Sequence, residues 1–165
     1  MTIGISGHQD LGTDVQIAWV TSTLAAELAK REYTKGISSL AAGADQLFAR
    51  LILESGHDLQ AIIPCQRYSE TFSTPEDRAA FELIVTKAVD CKVLEFEEPS
   101  EEAFYQAGQR VVDLSNLMFF IWDGKPAKGY GGTADIVNYA VQRERPYVHI
   151  NMLRREVTKV VAAAL

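Results

Sequence analysis

The chain has 165 residues, 47% of them hydrophobic and 23% charged, enough to bury one sizeable core and too few for two comfortable domains, so 1–165 is expected to form a single domain. Its formal charge of −6 is the wrong sign for a protein that grips nucleic acid by neutralising phosphates. Cys65 and Cys91 are isolated from each other and from His8, His57 and His149, so no metal-ligand spacing appears; with no leader pattern and no apolar run near the ~20 residues of a membrane span, a cytoplasmic location without membrane contact is expected.

Residues 2–6 alternate small and β-branched apolar side chains and stop at Gly7, the pattern of a short buried strand. A helix follows: Thr13 or Asp14 caps it, Val15, Ala18, Trp19, Leu24, Ala25 and Leu28 recur at helical spacing, and Lys30 and Arg31 close it. Residues 36–40 form the second strand. The run 44–55 puts Leu47, Phe48, Leu51 and Ile52 on one helical face and ends at Gly56. Residues 59–63 give a third strand. Thr74-Pro75-Glu76-Asp77 is a helix start, with a threonine cap, a first-turn proline and two dipole-favourable acids. A weaker strand at 92–96, a helix at 100–113 and the most hydrophobic strand, 117–122, come next. Helices at 133–143 and 153–165 flank a last strand at 147–150. Strands alternating with helices through short loops predict an α/β fold: a three-layer Rossmann-like domain with a mainly parallel sheet and helices on both faces.

In such a sheet, ligands bind beyond the carboxyl ends of the strands, where strand order reverses. The loops expected there are 7–10, 42–45, 65–68 and 123–133. Gly131-Gly132-Thr133 combines close backbone approach with a hydroxyl at a helix start, which suits a phosphate. Gly43 and Asp45 read equally as ligand contacts or as a turn glycine and a first-turn acid. His8 is a candidate proton donor or hydrogen-bond partner, and Asp10 beside it a contact or a cap. Arg67, Lys125 and Lys128 are the nearest cations, each a phosphate partner or a solvated charge. Cys65 has no evident activating base.

The segments Gly4-Ile5-Ser6-Gly7-His8-Gln9-Asp10-Leu11, Ser39-Leu40-Ala41-Ala42-Gly43-Ala44-Asp45, Ile62-Ile63-Pro64 and Trp122-Asp123-Gly124, with Gly131-Gly132-Thr133-Ala134-Asp135, resemble the SLOG superfamily of Rossmann-like domains over nearly the whole chain. That superfamily takes in the Lonely Guy phosphoribohydrolases, the DNA-processing protein A group and sensor domains that bind nucleotide-derived signals. The resemblance implies a nucleotide-type ligand, either a nucleoside monophosphate or an ADP-ribose-like compound. Gly7, His8, Gly43, Asp45, Arg67, Asp123, Gly131, Gly132 and Thr133 would bind it, with no cofactor and no metal. Related domains pair through helices, so a homodimer or higher homo-oligomer is expected. The phosphoribohydrolase branch carries a catalytic glutamate three residues beyond its threonine; that position here is Ile136, with Asp135 one place early, rotated by about 100° on a helix. The first reading is therefore a binding domain, a sensor or carrier. The alternative is an N-glycosidic hydrolase with Asp135 or Asp10 as its acid and Arg110 or Arg67 on the phosphate. A nucleic-acid module like the DNA-processing branch is a third, opposed by net charge.

Overall fold

The computed structural model of the chain describes residues 1–127 and 129–161. Its elements are β1 (Thr2–Gly7), α1 (Asp14–Ala29), β2 (Lys35–Ser38), α2 (Ala44–Glu54), β3 (Asp58–Ile63), a 3-10 turn (Tyr68–Thr71), α3 (Pro75–Lys87), β4 (Asp90–Val93), α4 (Glu101–Leu114), β5 (Leu117–Ile121), α5 (Thr133–Gln142), β6 (Tyr147–Asn151) and β7 (Glu156–Val160). The strands form one sheet in the order β4-β3-β2-β1-β5-β6-β7. All neighbours are parallel except β7, which runs antiparallel to β6. This is the α/β, three-layer Rossmann-like architecture that the sequence predicts.

The alternation within the strands builds a core on each face of the sheet. Ile3, Ile5, Phe119 and Ile121 point to one side and pack with Val20 and Leu24 of α1, Phe48 and Ile52 of α2, and Phe81 and Ile84 of α3. Met118, Phe120, Ile37 and Ile62 point to the other, against Ala107 and Val111 of α4 and Ile136, Val137 and Ala140 of α5. Successive side chains on a strand face opposite ways, so a single apolar run, Leu117–Ile121, feeds both cores.

Three helix starts are fixed by side chains. Thr13 and Gln16 form a reciprocal capping box, Thr74 accepts from the Asp77 N–H, and Ser100 accepts from the Ala103 N–H. The two others, α2 and α5, follow Gly43 and Gly132 and have no side-chain cap.

The expected helix at 153–165 is a correction: the chain turns at 152–155 and returns as strand β7. The Asn151 side chain accepts from the N–H groups of Leu153 and Arg154, Arg155 takes φ 55°, and the following Val157, Thr158 and Val160 are β-branched residues that suit a strand. Positions 162–165 of that expected helix lie outside the described residues. β2 also stops at Ser38, two residues short of the expected end. Leu40 adopts φ 59° there, and the Ser38 hydroxyl accepts its N–H, opening a turn rather than extending the strand. No described helix is long and apolar enough to cross a membrane.

Candidate functional site

Strand order reverses between β1 and β5, because β2 to β4 build outward on one side of β1 while β5 to β7 build on the other. The loops leaving the carboxyl ends of these two adjacent strands diverge. A cleft of about 960 Å3 opens between them, extended by the loops after β2 and β3 and by α4.

Its floor is held by close backbone contacts. Gly43 has φ 77°, and a Cβ there would stand 2.1 Å from the Gln9 carbonyl oxygen, so only glycine lets the β2–α2 loop lie against the β1–α1 loop. The Ala44 N–H donates to the His8 carbonyl at 3.1 Å, joining the same two loops. Gly43 is thus a joint beneath the cleft and does not line it.

Asp45, two residues into this contact, is 5% exposed. One of its carboxyl oxygens accepts from the Ser38 hydroxyl and the Ser39 N–H, both at 3.2 Å. Burial pushes this carboxyl up to about 7, against the opposing pull of the Ser38 hydroxyl and the Ser39 and Ala41 N–H groups. A carboxyl in this setting gains or loses a proton near neutrality.

Across the floor, His8 Nε2 lies 3.2 Å from Asp123 Oδ1 and 3.3 Å from the Asp123 backbone nitrogen. The proton decides between these partners: a protonated Nε2 donates to the carboxylate, an unprotonated one accepts from the N–H. Burial raises the Asp123 carboxyl, but the Lys125 N–H, the His8 ring and the Lys125 charge outweigh it and hold Asp123 below the usual carboxylate range. Lys125 reaches Asp123 at 3.8 Å. Next to them, Trp122 stacks on His149 at 5.2 Å and donates its indole N–H to the Lys125 carbonyl, turning the chain out of β5.

The glycine loop closes one wall. Gly131 takes φ 82°, and a Cβ on it would meet the Glu101 carbonyl oxygen at 2.8 Å, so the loop lies directly against the start of α4. Its N–H donates to Asp135 Oδ2 at 2.8 Å. Asp135 therefore braces the loop from inside the first turn of α5 and does not line the cleft. Ile136 does line it, so the next residue along the helix faces the ligand space with an apolar side chain. Among the described residues the N–H groups of Thr133 and Ala134 find no acceptor, and with Gly132 offering no cap they are available at the positive end of α5. Lys128, one of the expected cations, lies outside the described residues.

The structure gathers Gly7, His8, Asp45, Asp123, Gly131, Gly132 and Thr133 around one cleft, together with Asp10 and Lys125. Gly43, Arg67, Arg110 and Asp135 are outside its lining. Arg110 is exposed on α4. Arg67 turns outward into ion pairs with Glu70 at 2.6 Å and Glu98 at 2.5 Å, which raise its guanidinium further above its ordinary value. The 3-10 turn that sends Arg67 out sends Tyr68 in. Tyr68, Phe72 and Phe104 form an aromatic wall absent from the sequence expectation, which takes 65–68 as a strand-end loop with Arg67 as its candidate contact; only the turn geometry reveals that the tyrosine faces inward. Cys65 is buried, and burial pushes its thiol up, away from nucleophilic use. Among the described residues no three His, Cys, Asp or Glu side chains converge to hold a metal ion.

No family model matches the chain, and no curated protein matches it by sequence. Solved structures do. DNA processing protein A from Helicobacter pylori, whose structure describes a single-stranded DNA binding mode, superposes with a TM-score of 0.65 at 20% identity over 90% of this chain. DNA processing protein A from Streptococcus pneumoniae gives 0.63 at 14% identity over 90% of the chain, and the molybdenum cofactor carrier protein from Chlamydomonas reinhardtii 0.56 at 14% over 91%. The chain shares its fold with these proteins. It spans 64% of the length of the Helicobacter protein and 49% of that of the Streptococcus protein, so it matches one part of each. Within this fold, the cleft between β1 and β5 and the glycine loop before α5 occupy the position that strand order alone assigns to a ligand.

Proposed function

We propose that this cleft binds a nucleotide or nucleotide-derived small molecule, a nucleoside monophosphate or an ADP-ribose-like compound, and that the chain acts as a sensor or carrier, as a homo-oligomer. One observation carries the reading: the amino end of α5 opens on the cleft with N–H groups that find no acceptor among the described residues, a glycine in place of a side-chain cap, and Thr133 adding a hydroxyl. A phosphate there would gain backbone hydrogen bonds and the favourable end of the helix dipole. Hydrolysis of an N-glycosidic bond is the weaker alternative, since Ile136 occupies the cleft-facing position and the Asp135 carboxylate is engaged by the Gly131 N–H. The single-stranded DNA binding of the Helicobacter protein is not carried over, because Asp10, Asp45, Glu101 and Asp123 line this cleft and the chain carries a net charge of −6.

The test is calorimetric titration with nucleoside monophosphates, ADP-ribose and single-stranded DNA, on the natural chain and on Gly132→Asp. Gly132 has φ −73°, and a Cβ would sit 3.3 Å from that of Ala127, a contact that small shifts relieve. The variant is expected to fold and to lose the nucleotide through charge repulsion at the α5 terminus. Unchanged affinity in folded Gly132→Asp would remove the loop from the site. Binding of DNA with a steep salt dependence would favour the nucleic-acid reading instead.

A further inference from the structure

The sheet ends in two edge strands, β4 and β7, and every residue of both is exposed. A bare edge is a row of unpaired N–H and C=O groups that another strand can join unless the sequence blunts it. At β4 neither proline, glycine nor a positive φ interrupts Val89-Asp90-Cys91-Lys92-Val93, and all of these residues are exposed. The Val89 N–H donates inward to the Leu59 carbonyl. Backbone groups of successive strand residues point to opposite sides, so those of Asp90 and Lys92 turn outward along the free edge.

Charge decides what fits there. When two copies of one strand meet antiparallel across a two-fold axis, the axis passes through a residue that faces itself, and its neighbours face each other in reverse order on the same side of the sheet. An axis at Asp90 or at Lys92 sets like charges face to face, which is destabilising. An axis at Cys91 sets Asp90 of each copy opposite Lys92 of the other, and Val89 opposite Val93. The same register makes Asp90 and Lys92 the hydrogen-bonded pairs, as their outward backbone groups require, and leaves Cys91 opposite itself as a non-hydrogen-bonded pair. β7 has no such match. An axis at Thr158 sets Glu156 against Val160 and Val157 against Lys159, and Lys159 is already drawn to Glu27 at 3.4 Å.

Resting on the homo-oligomer reading, we propose that a second copy of this chain docks antiparallel on the β4 edge, joining two sheets into one across a two-fold axis at Cys91. This is strand pairing and not the helix pairing that the family resemblance implies. The contact from Val89 to Val93 is short, so the dimer forms and dissociates with concentration.

The natural chain carries its own reporter, since Cys91 is exposed and Cys65 buried. Facing Cα atoms of a non-hydrogen-bonded pair stand about 4.5 Å apart, within reach of a disulfide. Oxidation with diamide at high micromolar concentration is expected to give a covalent dimer on a non-reducing gel, lost in Cys91→Ser while light scattering still returns the dimer mass. Lys92→Asp sets a carboxylate opposite each Asp90; it should weaken association about tenfold or more and suppress the cross-link with it. Adding Asp90→Lys to that variant restores opposite charges and should restore both, which separates pairing from a folding defect. Cross-linking that Lys92→Asp leaves unchanged is random collision and overturns the proposal. A dimer in scattering that neither cross-links at Cys91 nor responds to Lys92→Asp overturns the β4 edge and leaves the homo-oligomer in place. A monomer throughout overturns both.

Discussion

Replacing Asp45 by asparagine tests the description of the cleft floor directly. The carboxyl is pushed up to about 7 in the folded chain from an ordinary value of 3.8, because burial disfavours its charge more than its three donors favour it. A raised folded pKa means that the stability this group contributes is fully present below about 4 and is lost as pH climbs through 7, where the folded chain must finally ionise a buried acid. Integrated over that window the loss reaches about 4 kcal/mol, of which about 2.5 kcal/mol falls between pH 5 and pH 8. Asparagine cannot ionise. Its amide sets an NH2 group against donors such as the Ser39 N–H, which gives a constant offset, but the offset does not vary with pH. Urea unfolding of both proteins at pH 5 and pH 8 isolates the titration as the change in their stability difference, which should move by about 2.5 kcal/mol in favour of Asp45→Asn at the higher pH. For a chain of this size the same change amounts to about 5 to 10 °C in Tm. A difference that stays constant with pH, or moves the other way, would refute the buried, uncompensated carboxyl.

Thr133→Val keeps the side-chain shape but removes the hydroxyl, and loss of one hydrogen bond to a charged phosphate should weaken nucleotide binding by about ten- to a hundredfold in calorimetry, with thermal unfolding checking the helix start. Glu27→Ala should destabilise the fold by about 3 kcal/mol in urea unfolding. Glu27 is buried between Lys30 at 2.5 Å, Arg31 at 3.0 Å and Lys159 of β7 at 3.4 Å, and its removal leaves Arg31 without a counter-charge among the described residues. Nucleoside 5′-monophosphates incubated with the chain should be recovered intact by chromatography; rapid base release abolished by Asp135→Asn would contradict the bracing role given to that carboxylate. Light scattering at high micromolar concentration should return a mass above the 18.2 kDa of one chain, and a monomer there would count against assembly.

Local chemistry made most of the architecture readable. Thr13 with Gln16, and Thr74 with Pro75, announce helix starts because their caps act within four residues, and the 117–122 run can only be a strand buried on both faces. The glycine loop was legible for the same reason. What escaped depends on contacts distant in sequence. Apolar residues at 153–165 fit a helix on paper, yet pairing with β6, Tyr147 opposite Val160 and Asn151 opposite Glu156, draws 156–160 into a strand. Tyr68 and Arg67 are adjacent, and composition favours the arginine as the ligand partner. The nearby glutamates Glu70 and Glu98 claim the arginine, while Phe72, Phe81 and Phe104 claim the tyrosine ring.

The return of β7 has a practical consequence for handling this molecule. Because β7 runs back along β6, Val160 stands beside Tyr147, the first residue of that strand, at the same pole of the sheet where Thr2 begins β1. Both Met1 and Val161 therefore leave the sheet from the pole opposite the cleft. A biotin acceptor peptide, a fluorescent protein or a surface tether attached at either position would hold the cleft pointing outward into solution. Attachment at Met1 or Val161 is thereby suited to immobilised ligand screening, without a linker long enough to fold back over the site.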